Sequence, residues 1–283
     1  MAFEFENAWY PDVDDTAVVA MALAAVEHPE SDRVRAAIAR AARWVATMQC
    51  KAGGWAAFDV DNDKDWLNRI PYGDLKAMID PNTADVTARV LEMIARCGLG
   101  DFEPARVERG LAFLLTEQER DGAWFGRWGV NYVYGTSGAL AALGPTRPGD
   151  RAIDESVVRG AVWLKSVQQI GGGWGETTAS YADAMLRGIG PPTASQTAWA
   201  LIGLLACAER LPRIAHAFEP AIQRGVEYLL RTQRADGTWD EPEFTGTGFP
   251  GHFYLNYHQY RLQFPLSALG RYAALRGRTP LLD

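Results

Sequence analysis

The sequence predicts an all-α fold, an (α/α) toroid of helical hairpins carrying Gln–Trp repeats. Two observations predict it. Helical patterning runs through nearly the whole chain, and no stretch reads convincingly as a strand. The pattern Gln-x-x-x-Gly-x-Trp also occurs four times, as Gln49/Gly53/Trp55, Gln118/Gly122/Trp124, Gln168/Gly172/Trp174 and Gln233/Gly237/Trp239. Each copy closes an amphipathic helix. Glycine allows a tight turn there, the Gln amide can bond exposed backbone at a neighbouring helix end, and Trp can pack against it. With about two helices per repeat, a ring of hairpins with inner and outer layers buries the apolar faces.

The elements follow in order. Asp12-Val13-Asp14-Asp15 leads into a helix over Thr16–Glu27, stopped by His28-Pro29. Ser31, as N-cap, opens an amphipathic helix reaching Met48. After a long polar connection over Asp59–Asp80, helices are predicted at Thr83–Cys97, Pro104–Gln118, Thr136–Leu143, Ala152–Gln168, Thr193–Glu209 and Glu219–Gln233. A last pair is predicted near Tyr254–Leu262 and Pro265–Arg276, making about ten helices where a full toroid has twelve. The expectation is one domain over 1–283.

If inner and outer helices alternate, the inner N-termini meet at one end. Asp12–Asp15, Pro81–Asp85, Trp128–Tyr134, Pro191–Gln196 and Phe249–Tyr257 would gather there, rich in carboxylates and aromatics, as a lined cavity. Three carboxylates within four residues repel one another, which raises at least one pKa and makes the cluster a candidate Brønsted acid. One Asp would need no explanation beyond helix capping; three do.

Composition narrows the classes. The chain has 283 residues, 48% apolar and 22% charged, enough for a packed core. A net charge of −7 without a basic cluster argues against nucleic acid. Cys50, Cys97 and Cys207 have no ligand spacing and read as small core hydrophobes. The four histidines are not at zinc-ligand spacing. Asp59-Val60-Asp61-Asn62-Asp63 imitates the start of an EF-hand loop, but Lys64 replaces the required Gly and Ile70 the final Glu, so it reads as a polar loop. The start of the chain has no basic, apolar leader pattern, and no apolar run is long enough to span a bilayer.

Asp12-Val13-Asp14-Asp15-Thr16-Ala17 with the repeated Gln–Trp motifs closely resembles the squalene–hopene cyclases, bacterial class II triterpene cyclases. Gly126-Arg127-Trp128-Gly129-Val130-Asn131-Tyr132, Pro192-Thr193-Ala194-Ser195-Gln196-Thr197-Ala198-Trp199 and Thr245-Gly246-Thr247-Gly248-Phe249-Pro250-Gly251 carry the resemblance across essentially the whole chain. It implies protonation of a terminal alkene of squalene and cation-driven ring closure to hopene, with hopanol from water capture, and no metal or organic cofactor. It implies Asp14 as proton donor, with Asp12, Asp15 and Asp85 as the surrounding carboxylate network. Trp128 and Tyr134 match aromatics near the acid. Phe3, Phe249 and Phe253 match aromatics beside developing cations, and Tyr254, Leu255, Tyr257 and Tyr260 follow along the same wall. Phe58, another substrate-facing aromatic, stands where many relatives have Tyr. Tyr72, in Ile70-Pro71-Tyr72-Gly73, matches the substrate entrance. Aromatic faces suit this chemistry because they stabilise positive charge without quenching it, and a dry site prevents early termination.

Arg89 departs from relatives with a His partnered with the acid; a permanent cation there is expected to pair with another Asp of the network. Relatives are also about twice as long, with an N-terminal second barrel. The chain is therefore expected to be a C-terminal portion, with little activity alone, whose full enzyme sits monotopically on the cytoplasmic face of the inner membrane. A homodimer is left open. The rivals are a class II cyclase for another polyprenyl substrate, a zinc-dependent prenyltransferase β-subunit, and a non-catalytic toroid that binds lipid or protein.

Overall fold

The computed structural model describes residues 1–2, 7, 9–73, 75, 77–100 and 102–277. The chain divides into two compact units, Met1–Glu117 and Gln118–Asp283. Among the described residues no helix is long and apolar enough to cross a membrane.

The first unit holds four helices: α1 (Val13–Ala25), α2 (Ser31–Thr47), α3 (Ala84–Arg96) and α4 (Pro104–Thr116). α3 is buried along most of its length, whereas α2 and α4 bury only one face, so an inner and an outer layer exist here as expected. Pro104 starts α4 at a position whose N–H has no helical acceptor anyway. Glu30, not Ser31, is the N-cap of α2.

The second unit holds α5 (Tyr132–Leu143), α6 (Arg151–Ser166), α7 (Ala194–Arg210), α8 (Glu219–Thr232) and α9 (Tyr260–Leu275). α5 and α7 are almost wholly buried and pack on each other. Two expectations are corrected here. The segment read as a helix near Tyr254 is strand β2 (Phe253–Leu255), paired antiparallel with β1 (Gly246–Phe249), so a small sheet exists in a chain expected to lack strands. The final helix then begins at Tyr260 and runs through Pro265, its expected start. Alternating Gly and Thr across 245–248 hid the strand, because neither supplies an apolar period-2 signal.

The Gln–Trp motif is a repeated joint within each unit. Gln49 Nε2 donates to the carbonyls of Gly53 and of Arg106 on α4, and Gln168 Nε2 to those of Gly172 and of Ala221 on α8. Gln118 does the same with Gly122 and with Ser156 on α6. The indole N–H of Trp55 donates to Val45, that of Trp174 to Leu164 and that of Trp239 to Leu229, in each case the backbone of the helix just completed. The amides of Trp55, Trp124 and Trp174 donate to Thr87, Thr136 and Thr197 on the inner helices. Each motif thus bonds the helix that precedes it, the next outer helix or an inner helix, which is why so short a pattern specifies a layered fold.

The motif glycine is needed for both conformation and space. Gly172 has φ +91°, and a Cβ there would lie 2.4 Å from the Arg224 carbonyl oxygen. Gly172→Ala is expected to destabilise the second unit by about 1–3 kcal/mol from backbone strain alone, with the clash adding to it. Urea unfolding of the two chains measures this; an unchanged midpoint would mean that the turn relaxes freely.

Candidate active site

The first unit assembles the acid cluster. Asp12 caps α1, its Oδ1 accepting the Asp15 amide at 2.9 Å, while the Val13 amide donates to the Ala57 carbonyl at 2.9 Å. Asp12 is 5% exposed. Burial, reinforced by Asp14 and Asp15 and opposed by the Asp15 and Asp14 amides, pushes it from its ordinary 3.8 up to about 7. Asp15 is also raised, first by burial and then by Asp14.

Arg89, expected to pair with another Asp of the network, instead donates from Nε to Asp14 Oδ1 itself at 3.0 Å. Its Nη1 reaches Glu92 at 3.4 Å, and the buried Glu92 takes Arg96 at 2.6 Å. Asp85 is buried on the first turn of α3, where it accepts from the Thr83 hydroxyl and lies one helical turn from Arg89. Asp12, Asp14, Asp15, Asp85 and Arg89 therefore belong to two helix N-terminal regions packed together in one unit. Glu92 was missed by the sequence reading. Its signal was an acidic residue three positions from Arg89 and four from Arg96 on the same helix.

The raised Asp12 has a stability consequence. A carboxyl whose folded pKa lies above its unfolded value stabilises the fold fully below the unfolded pKa, and that contribution is lost as pH rises through the folded pKa. The window is about pH 4 to 7, with an upper bound on the order of 4 kcal/mol from the size of the shift. Asp12→Asn removes this titration. Unfolding free energies at pH 5 and pH 8 should therefore show the parent losing stability relative to the variant at the higher pH. A pH-independent difference would mean that Asp12 titrates normally.

Phe58 lies half-buried in the same unit, edge-on to Tyr10 at 6.4 Å. Its amide and that of Asp59 donate to Asp80 Oδ2 at 2.6 and 2.9 Å, which anchors the segment beside Ala57. Tyr72 is 93% exposed, in a connection that also exposes Trp66, Leu75 and Met78. In the EF-hand-like loop Asp61 is engaged by the Lys51 amide and ammonium and Asp59 by Asn62. Among the described residues no group of three His, Cys, Asp or Glu is placed to hold a metal ion. Phe3 lies outside the described residues.

The second unit assembles the aromatics. Val130 donates to Thr245 at 2.9 Å and Thr247 to Trp128 at 3.2 Å, so the Trp128 segment lies along β1. Gln196 Nε2 donates to the Val130 and Glu176 carbonyls, both at 2.9 Å, tying the start of α7 to the same place. The stretches around Trp128, Gln196 and Phe249 are thereby brought to one end of this unit. Tyr254 on β2 stacks on Tyr181 at 5.9 Å, and Tyr257 meets Tyr260 at 4.7 Å. Trp199 contacts Tyr134, Tyr260 and Phe264. Trp128 and Phe249 are half-buried and Phe253 more open. Trp199, Phe264 and Tyr181 were not among the site candidates, although the first lay in a quoted motif and the second is one turn after Tyr260.

Two buried carboxylates serve structure here. Glu176 accepts the Val133 amide at 2.9 Å and Glu241 the Ser195 amide at 2.8 Å, capping α5 and α7; burial pushes both upward. Each lies two residues beyond a motif Trp. At the equivalent position after Trp55 the residue is Ala57, whose carbonyl serves α1, so the carboxylates at that helix start come from the Asp cluster itself.

A family model described as squalene-hopene cyclase C-terminal domain matches residues 1–274. The chain belongs to this cyclase family. The squalene–hopene cyclase of Bradyrhizobium diazoefficiens is 47% identical over 285 residues, covering 97% of this chain and 41% of that protein. The dammaradiene synthase of Dryopteris crassirhizoma is 51% identical over 288 residues, covering 95% and 41%. The cyclase domain described here thus spans about two-fifths of the length of these relatives. Among solved structures, the type II terpene cyclase MstE from Scytonema superposes with a TM-score of 0.63 at 18% identity, over 97% of this chain and 76% of that one. The ent-copalyl diphosphate synthase from Streptomyces platensis gives 0.62 at 18%, over 92% and 41%. At that identity the likeness concerns the fold, which is the helical toroid expected from the repeats.

Proposed function

We propose that this chain is the acid-bearing half of a class II triterpene cyclase that converts squalene to hopene, with hopanol as a side product. The observation that carries the reading is the Asp12–Asp14–Asp15 cluster at the start of α1, in which a buried carboxyl is pushed to about 7 beside an Asp14–Arg89 ion pair. In this reading Asp14 delivers the proton to the terminal alkene. Asp12 keeps a proton on the coupled cluster near neutral pH, and Asp15 and Asp85 supply negative potential where charge first develops. Phe58, Trp128, Tyr134, Phe249, Phe253, Tyr254, Tyr257 and Tyr260 are assigned to stabilise the migrating cation, Phe3 is assigned with them on the resemblance alone, and Tyr72 marks the entrance. No metal or organic cofactor takes part.

The relatives' greater length supports a second, N-terminal barrel as the partner that completes the cavity. The full enzyme is assigned a monotopic position on the cytoplasmic face of the inner membrane, and exposed Trp66, Tyr72, Leu75 and Met78 suit contact with lipid, from which an apolar substrate enters. A homodimer of the full enzyme is compatible with this position. A second reading, a dammaradiene product from the same acid-initiated cascade, is favoured by the 51% identity to dammaradiene synthase.

The test is detergent-dispersed squalene incubated with this chain alone and with the chain joined to the N-terminal half of a relative, with products read by gas chromatography–mass spectrometry. Hopene and hopanol are expected from the joined protein only. Dammaradiene would select the second reading, and product from the chain alone would remove the need for a second barrel. A well-folded joined protein that leaves squalene untouched would refute the substrate assignment.

A further inference from the structure

Trp199 occupies the sixth position of α7 and is 3% exposed. Three rings meet it edge-on: Tyr134 from α5 at 4.8 Å and 66°, Tyr260 from α9 at 5.7 Å and 78°, and Phe264 from α9 at 5.3 Å and 75°. Tyr260 and Phe264 also meet edge-on at 5.0 Å, and Tyr257 leans on Tyr260 at 4.7 Å. One indole on α7 therefore joins aromatics from two other elements of the second unit, α5 and α9. Among the described residues the buried indole N–H of Trp199 has no hydrogen-bond acceptor. Burying an unpaired donor is a cost that phenylalanine would not incur, so the larger ring is retained for what it packs against. The motif tryptophans 55, 174 and 239 differ in this respect, since each donates to a backbone carbonyl.

We propose that Trp199 is a positioning residue of the cyclisation: by packing edge-on against Tyr134, Tyr260 and Phe264 it fixes the ring faces that Tyr134 and Tyr260 present to the cation, and so sets how far ring closure runs. This rests on the cyclase reading above. Edge-to-face packing has a preferred geometry because the positive ring edge meets the negative face of its neighbour. The faces of Tyr134 and Tyr260 left over are the electron-rich surfaces that a carbocation needs. Without Trp199 both rings gain rotational freedom, the stabilisation they offer is no longer aimed, and a partly cyclised cation has longer to lose a proton. Trp199 itself forms no bond and moves no proton.

The experiment uses the chain joined to an N-terminal half, as parent and as Trp199→Phe, Trp199→Leu and Trp163→Phe. Trp163 is a buried tryptophan on α6 for which no ring contact is seen among the described residues, and it controls for general loosening. Trp199→Phe is expected to retain turnover while the share of incompletely cyclised products rises about 2- to 10-fold, the range that loss of oriented aromatic pairs allows, and Trp199→Leu is expected to raise it further. Trp163→Phe is expected to keep the parent's product ratio. Near-ultraviolet circular dichroism of the same proteins reads ring packing independently of turnover, and its tyrosine bands should weaken in the Trp199 variants and keep the parent's strength in Trp163→Phe. A parental product ratio in Trp199→Phe, or an equal shift in Trp163→Phe, would overturn the proposal. If the parent itself cyclises nothing, the cyclase reading fails. The dichroism then decides the positioning role alone, and an unchanged spectrum in both Trp199 variants would end it.

Discussion

Asp14→Asn in the joined, full-length protein is expected to lower cyclisation by about 10²–10⁴-fold, the usual contribution of a positioned general acid, with the fold retained. Asn is nearly isosteric and cannot donate an acidic proton, and Arg89 keeps Glu92 as an anionic partner, so no isolated buried cation results. Initial rates on squalene at several pH values are the measurement. If Asp14→Asn keeps activity within about tenfold of the parent while Asp12→Asn loses it, the proton leaves from Asp12 and the Asp14–Arg89 pair is electrostatic scaffolding. Loss in both variants fits a coupled cluster in which one carboxyl stores the proton and the other delivers it.

Trp174→Ala is expected to destabilise the second unit by about 3–5 kcal/mol, the range for emptying a large aromatic site in a core. Trp174 is fully buried, its indole N–H donates to Leu164 at 2.7 Å and its amide to Thr197 at 3.0 Å. A Cβ at Gly225 would lie 2.8 Å from its ring, so the helix backbone of α8 itself forms the wall of the cavity and cannot close far upon it. Denaturant unfolding gives the number directly. A loss below about 1 kcal/mol would mean that the hairpin collapses around the gap and that the motif tryptophans act through their hydrogen bonds, which Trp174→Phe would then reveal.

Most of the helices were legible because each amphipathic outer helix ends in Gln-x-x-x-Gly-x-Trp, a local signal. In the first three copies the Gln bonds the next outer helix, in all four the Gly takes a positive φ, and Trp55, Trp174 and Trp239 bond backward. The final hairpin was illegible for the opposite reason. Gly246–Phe249 is held as a strand by Trp128 and Val130 on one side and by β2 on the other, contacts with no trace in local periodicity.

The Asp cluster was legible as an acid because repulsion among three adjacent carboxylates follows from sequence alone. Which carboxyl holds its proton did not follow. Burial, a tertiary quantity, raises Asp12 most, and a residue 75 positions away on α3 supplies the guanidinium that Asp14 takes. The same division holds for the aromatics: their identities and grouping can be read along the chain, whereas the edge-on contacts that join Tyr134, Trp199 and Tyr260 exist only where α5, α7 and α9 pack together. Sequence determined the repeat, the helical class and the chemistry available, since these depend on neighbours along the chain. Tertiary structure decided protonation and ring orientation, because both depend on which distant groups exclude water.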